Sequence, residues 1–379
     1  MGEDMYHILL KNKISQAGLR LLPASYHCSE DIKQAEAILV RSAPISEDVL
    51  PQTMLAVARC GAGVNNISIP VCTQRGIAVF NTPGANANAV KELTLAALFL
   101  SSRKIVDGIQ WVNGLEKGDD LSARVEKGKG KFVGPELLGK TLGIIGLGAI
   151  GKEVARTAVA LGMKVVAMDE RIVSDTVTSV KGDWMQIVST MQEVYQVSDY
   201  ITAHVPLTPE TKGMFCQANF ACMKDGVRII NMSRGELVNE KDMIAALESQ
   251  KVACYVTDFV SNGLLGVQGV IGIPHLGAST PEAEDNCAVM AVNQVVDYLE
   301  NGNITNSVNF PAITMERCGK HRISIVSGHA FSVSSLPIVP KAMKVESKGE
   351  IIYALIDTDS DVTILEAFLR ETFIKIRVL

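Results

Sequence analysis

The chain is predicted to be an α/β protein carrying a doubly wound parallel sheet. A second parallel βα set precedes that sheet, and a small α+β segment follows it. Three observations predict this. Short apolar runs alternate with helical patterns over most of the 379 residues. A glycine-rich turn, Gly146 to Gly151, stands between a strand pattern and a helix pattern. After about Cys318 the alternation changes character. A chain of this length exceeds one ordinary core, so two or three domains are expected.

In chain order, the first set has strands near Tyr6–Leu10, Ala37–Val40, Ala56–Arg59 and Ala78–Phe80, the last leading into the turn Asn81-Thr82-Pro83-Gly84. From Ala89 a helix with apolar periodicity leads away, followed by a polar Gly- and Lys-rich stretch from Gly114 to Gly139. The strand Thr141–Ile145 opens the second set, which runs to roughly Pro274. A helix over Glu282–Leu299 starts after Thr280-Pro281 and closes at Asn301-Gly302, with proline in the first turn and glycine past the end. The tail reads as strands at Arg322–Val326, Ile351–Leu355 and Ile374–Leu379 around a helix near Thr363–Thr372.

Composition excludes several function classes. The formal charge is -5, and the longest basic cluster, Lys127 to Lys131, is diluted by glycine, so no nucleic-acid partner is expected. Eight cysteines lie without CxxC spacing in a chain far longer than a disulfide scaffold, which points to thiols in a reducing compartment. No His/Cys/Asp group has metal-ligand spacing, so no metal is expected. The acidic start Met1-Gly2-Glu3-Asp4 runs straight into a strand pattern, so no signal peptide is expected, and Tyr6 argues against myristoylation of Gly2. The densest apolar run, Leu93 to Leu100, is too short to span a bilayer. A soluble cytoplasmic protein with no membrane partner is the expectation.

Gly146-Leu147-Gly148-Ala149-Ile150-Gly151 follows a strand directly and opens a helix, and the next strand, Lys164–Met168, ends on Asp169. This context turns a weak motif into a dinucleotide site of the Rossmann type. Gly146 permits a tight turn, Gly148 lets backbone approach a pyrophosphate, and Gly151 lets helix and strand pack closely. The helix N-terminus offers free N–H groups to phosphate. Asp169 can accept both ribose hydroxyls and repels a 2′-phosphate, which favours NAD; nearby Arg171 leaves NADP open. His204-Val205-Pro206 could line the same cofactor cleft.

Three later segments end strands with polar groups: Asn231-Met232-Ser233-Arg234-Gly235, Thr257-Asp258, and Pro274-His275-Leu276-Gly277. In an open α/β sheet ligands bind outside the carboxyl ends of the strands. Oxidising a 2-hydroxy acid needs a base for the hydroxyl proton and a cation for the carboxylate and carbonyl. Histidine suits the first near neutral pH, and arginine suits the second. His275 and Arg234 are assigned these roles.

The chain resembles the D-isomer-specific 2-hydroxyacid dehydrogenases over nearly its whole length. The marks are Val40-Arg41-Ser42, Arg59 to Asn66, Asn81 to Ala85, Gly143 to Gly151, Asn231 to Gly235, and Pro274 to Thr280. The resemblance implies a flavodoxin-like substrate domain over 1–95 and 285–312, an inserted Rossmann-type NAD domain over 96–284, and an ACT-like domain over 318–379. It implies that backbone amides of Gly61-Ala62-Gly63 bind the substrate carboxylate and that Arg41 and Arg59 bind a phosphate. Asp258 then lies near the nicotinamide carboxamide, with Gly277 of the histidine loop beside the cofactor. The activity implied is NAD-dependent oxidation of D-3-phosphoglycerate, a phosphorylated 2-hydroxy acid, by a homodimer or higher homo-oligomer. Taken from the residues alone, Arg41 and Arg59 read equally as surface ion pairs. Two alternatives stay open: a dehydrogenase of altered substrate, and a weakened NAD-binding sensor.

The chain departs from the family in two places. The family pairs its histidine with a glutamate just after the Asp258 strand; here Asn262 and Gly263 stand at that position. A slower enzyme is therefore expected. In the tail, the ACT type places a helix soon after its first strand, whereas residues 327–340 here contain Pro337 and Pro340. The ACT-like domain is expected to be degenerate.

Overall fold

Apolar runs buried on both faces build the first sheet. The computed structural model describes residues 5–30, 33–171, 185–332, 336–363 and 373–379. Strands β1 (Tyr6–Lys11), β2 (Tyr26–Ser29), β3 (Ala37–Val40), β4 (Ala56–Arg59) and β5 (Ala78–Phe80) pair in parallel in the order β2-β1-β3-β4-β5. That order is flavodoxin-like. Successive residues alternate between two cores, as a pleated strand requires. Ala37, Leu39, Ala56, Ala58 and Ala78 pack with Ala288, Ala291, Val292 and Val295 of the helix Pro281–Asn301. Ile38, Val40, Val57 and Val79 pack with Leu50, Met54 and Cys72. The sequence reading missed β2, whose Tyr-His-Cys-Ser carries no apolar alternation.

The second sheet comprises β6 (Thr141–Ile145), β7 (Lys164–Met168), β8 (Met185–Ile187), β9 (Tyr200–Ala203), β10 (Val227–Asn231), β11 (Val252–Thr257) and β12 (Val270–Gly272). All pairs are parallel, in the order β12-β11-β10-β9-β6-β7-β8. The winding direction reverses between β6 and β9, which is the topological switch of a doubly wound sheet. Helices cover both faces. Val154, Ala155 and Ala158 of Ala149–Ala160 and Val90, Ala97 and Leu98 of Ala87–Arg103 cover one. Val194, Tyr195, Phe215, Phe220, Met243 and Leu247 cover the other. The fully buried β9 and the three-residue edge strand β8 were not read from the sequence. The stretch read as merely polar, Gly114 to Gly139, holds the helix Leu121–Gly128.

The C-terminal segment forms an antiparallel sheet of β13 (His321–Ser327), β14 (Pro340–Lys348), β15 (Ile351–Thr358) and β16 (Lys375–Val378), in the order β14-β15-β13-β16. Strand β14 escaped the sequence reading. Its residues, rich in lysine, are mostly exposed on both faces, the composition of an edge strand kept from further pairing. Of the expected helix near Thr363–Thr372, residues 364–372 lie outside the described residues. Among the described residues between β13 and β14 there is no helix, in keeping with the two prolines.

By its internal contacts the chain divides into two units, Met1–Asn86 with Pro281–Leu379, and Ala87–Thr280. No described helix is long and apolar enough to cross a membrane.

Candidate active site

Because every strand of the second sheet runs the same way, the groups that follow its strands share one edge. Gly146 follows β6, Asp169 β7, His204 β9, Arg234 β10, Asp258 β11 and His275 β12. Six residues scattered over 130 positions of sequence are thus set on the carboxyl edge of one unit, flanking the β6/β9 switch.

At the switch the backbones of β6 and β9 crowd together. The His204 N–H donates to the Ile145 carbonyl at 2.7 Å. Gly146 has φ +95°, and a Cβ there would lie 2.5 Å from the His204 carbonyl oxygen, so only glycine fits. A Cβ on Gly151 would run into the Gly146 carbonyl, which is backbone and cannot step aside. The helix Ala149–Ala160 has Gly148 as its N-cap with no side-chain cap bond. The first-turn N–H groups of Ala149, Ile150 and Gly151 therefore face outward for an anion.

Asp169 is tied to this turn. Its Oδ2 accepts from the Leu147 N–H at 2.7 Å and its Oδ1 from the Arg171 N–H at 3.0 Å. Burial raises its pKa, but these N–H groups and the Arg171 side chain outweigh burial and hold it below the usual carboxylate range. Arg171 Nε lies 3.4 Å from Asp169 Oδ1 on a largely exposed side chain. Replacing Asp169 with Ser removes the charge that repels a 2′-phosphate and frees Arg171. The ratio of NADP to NAD turnover is expected to rise by about tenfold or more, the equivalent of about 1.4 kcal/mol. Steady-state rates with each cofactor check this, and an unchanged ratio would remove Asp169 from cofactor choice.

The Arg234 turn is held from below. Buried Asn231 donates to the Arg234 carbonyl at 2.8 Å and accepts from the Ser233 N–H at 3.1 Å, and the Ser233 hydroxyl donates to the Ala203 carbonyl at 2.6 Å. Asp258 is buried, with Oδ2 accepting from the Gly277 N–H at 3.2 Å. Burial raises its pKa, while His275, the Gly277 N–H and Arg234 pull it back down. The His275 ring is 4.6 Å from that of Phe259. Asp258, Phe259, Leu264, Pro274 and His275 help line a cavity of ≈ 640 Å³, within the range of small-molecule sites.

Among the described residues, two buried polar atoms on this edge have no protein partner: Asp258 Oδ1 and His204 Nδ1. Burial pushes the His204 imidazole down to about 4, so it is neutral at physiological pH. A buried acceptor and a neutral imidazole beside a glycine turn fit a nicotinamide dinucleotide. Val205 and Pro206 continue from His204, the first half-buried and the second exposed.

The other expected site residues lie in the first unit. The carbonyls of Gly61, Ala62 and Gly63 accept from the Thr82 N–H, the Asn81 amide and Arg59 Nη1 respectively. With its carbonyls taken and the Gly61 N–H donated to the Arg59 carbonyl at 2.9 Å, the loop offers the N–H groups of Ala62 and Gly63. Arg59 Nε also donates to the Arg41 carbonyl at 3.0 Å. Its guanidinium thus braces two loops. Arg41 pairs with Glu284 at 2.6 Å. Asn12, at φ +75°, accepts from the N–H groups of Arg41, Ser42 and Ala43 and shapes their turn. The sequence reading passed over Asn12, although an Asn directly after a strand is a turn signal.

Residues 95–277 match the profile "D-isomer specific 2-hydroxyacid dehydrogenase, NAD binding domain", so over this span the chain is similar to the D-isomer-specific 2-hydroxyacid dehydrogenases. It is 35% identical to the D-3-phosphoglycerate dehydrogenase of Methanocaldococcus jannaschii, over 77% of this chain and 55% of that one. To the human D-3-phosphoglycerate dehydrogenase it is 35% identical over 75% of this chain and 52% of that one. The chain thus spans about half the length of the curated relatives it matches. NAD+-bound 3-phosphoglycerate dehydrogenase of Entamoeba histolytica superposes with a TM-score of 0.65 at 27% identity, covering 80% of this chain and 99% of that one. A glyoxylate reductase from Paecilomyes thermophila gives 0.66 at 26% identity, covering 80% and 98%. Fold likeness alone therefore does not choose the acid.

Proposed function

We propose that the chain is an NAD-dependent dehydrogenase that oxidises D-3-phosphoglycerate to 3-phosphohydroxypyruvate. The observation that carries this reading is the gathering of Arg234, Asp258 and His275 on the edge that bears the glycine turn and Asp169. His275 takes the proton of the substrate hydroxyl as base, and Arg234 holds the carboxylate and polarises the forming carbonyl. Bound NAD supplies the acceptor for the hydride leaving carbon 2. Asp258 accepts from the ligand through its unpartnered Oδ1, and Gly277 keeps the other oxygen occupied. Backbone amides of the Gly61-Ala62-Gly63 loop bind the substrate carboxylate, a reading supported at Ala62 and Gly63, since the Gly61 N–H is given to the Arg59 carbonyl. Arg41 and Arg59 bind the phosphate, Arg41 by exchanging Glu284 for it.

The C-terminal sheet is read as ACT-like: its order, second-third-first-fourth with all pairs antiparallel, is that of the ferredoxin-like βαββαβ arrangement. A homo-oligomer is supported by apolar side chains left exposed at Ile109, Val112, Val133 and Leu138.

NADH production from about pH 6 to pH 10 with D-3-phosphoglycerate, D-glycerate and D-lactate tests the reading. Turnover is expected with the phosphorylated acid. Arg41→Ala is expected to raise its KM by about tenfold, the loss of one charge-assisted contact, and to leave the KM for D-glycerate in place. Equal effects on both acids would take Arg41 away from the phosphate. NADH binding without turnover of any acid would favour a cofactor-binding sensor.

A further inference from the structure

We propose that Glu240 is a positioning residue of the acid–base site, supplying from a neighbouring helix the carboxylate that the loop after β11 lacks; this rests on the dehydrogenase reading above. The loop runs Phe259-Val260-Ser261-Asn262-Gly263 and has no acid of its own. Glu240 begins the helix Glu240–Glu248, just after the Arg234 turn. One of its carboxylate oxygens accepts from the Ser261 hydroxyl. The other fills the space beside Gly263: a Cβ built there would lie 2.9 Å from Glu240 Cδ and closer still to Oε1. Gly263 is not among the glycines with positive φ, so backbone freedom does not demand glycine there. The Glu240 carboxylate stands where a side chain at 263 would begin. It thus stands against the loop position at which the family resemblance implies an acid.

Other contacts tie this place to the reacting edge. Phe259, in the same loop, packs its ring against His275 at 4.6 Å. Burial raises the Tyr255 phenol most, and Asp258 and Glu240 raise it further, so both carboxylates lie near one buried hydroxyl. Asp258 in turn feels His275 and Arg234. The charged and titratable groups around the site are therefore Tyr255 of β11, Asp258 after β11, Arg234 after β10, His275 after β12, and Asp242 on the helix of Glu240. Asp242 Oδ2 is held by the Gln217 N–H at 2.9 Å.

A purely structural role is the competing account. An acid in the first turn of a helix favours the helix dipole, and the Ser261 bond pins a loop. Capping does not require Glu240, because Asn239 caps the helix by accepting from the Asp242 N–H. A structural role moves thermal stability and leaves proton transfer alone. A positioning role moves proton transfer.

The test uses the full chain as wild type, Glu240→Gln, Glu240→Asp, and the double variant Glu240→Ala with Gly263→Glu, in which alanine vacates the space the new side chain enters. The pH midpoint of the His275 ring signal is followed by NMR, a readout that needs no turnover, beside the pH–rate profile. A nearby carboxylate favours the protonated imidazole. Glu240→Gln is thus expected to lower the midpoint by about half a pH unit to one unit and the maximal rate by about tenfold. Glu240→Asp retains part of both, and the double variant regains them by returning the acid to the loop. Equal midpoints in wild type and Glu240→Gln overturn the proposal, with or without turnover. A midpoint that moves in a chain that oxidises no acid sustains the role of Glu240 and overturns the dehydrogenase reading alone.

Discussion

Replacing Asp357 with alanine is expected to destabilise the chain by about 3–5 kcal/mol, the usual consequence of removing one partner from a buried ion pair. Arg322 and Asp357 are 1% and 0% exposed and face each other across β13 and β15. The pair is bidentate, Nε to Oδ1 at 2.7 Å and Nη2 to Oδ2 at 2.9 Å. The guanidinium also reaches the carbonyls of Met315 at 2.8 Å and Asn301 at 3.2 Å, and the Cys318 N–H donates to Oδ2 at 2.7 Å. The network joins the sheet to the end of the Pro281–Asn301 helix and to the strap leading from it. Alanine at 357 strands a buried cation. Changing both residues to apolar ones of similar volume is expected to recover most of the loss, since no unpaired charge then remains. Urea unfolding of the full chain measures both. A loss under about 1 kcal/mol would place the pair with weak surface bridges.

The same carboxylate gives a pH dependence. Burial raises its pKa, but the Arg322 and Cys318 hydrogen bonds overcome that and leave it below the ordinary value. A depressed folded pKa adds stability that is complete above the unfolded value of about 3.9 and is lost as pH falls through the folded one. The difference in stability between wild type and Asp357→Ala is expected to shrink only in that acid window.

His275→Asn is expected to lower kcat by a factor of about 10²–10⁴ while changing NADH affinity by no more than about threefold. The ring stands exposed at the end of β12, packed on Phe259, and is the one imidazole beside Arg234 and Asp258 on that edge among the described residues. Asparagine keeps a polar side chain of similar reach but cannot carry the proton. Stopped-flow rates and fluorescence titration with NADH separate the two effects. A fall below tenfold would mean that another group takes the proton, and Asp258, raised by burial, is the residue to examine next.

The legible parts of this protein were contiguous. A strand, a glycine turn, a helix and a second strand ending in an acid occupy residues 141–169, and every spacing that matters to a dinucleotide is local there. Arg234, Asp258 and His275 could be placed for a related reason: in a parallel sheet the end of any strand lies on the same edge as the end of every other. Edge strands β8 and β14 were harder, because a strand with little to bury carries little apolar pattern.

By itself, then, the sequence determined the doubly wound sheet, the cofactor turn and the strand ends that carry polar groups, because backbone periodicity and strand direction suffice for these. Tertiary structure alone decided how the charged side chains are spent. It committed Arg59 to two loop carbonyls, paired Arg41 with Glu284, sealed Arg322 against Asp357, and set Glu240 in the space of Gly263. Such partners lie up to 243 residues apart, and a long side chain has as many candidate partners as the chain has opposite charges. Only packing, which fixes where each backbone runs, reduces those candidates to one.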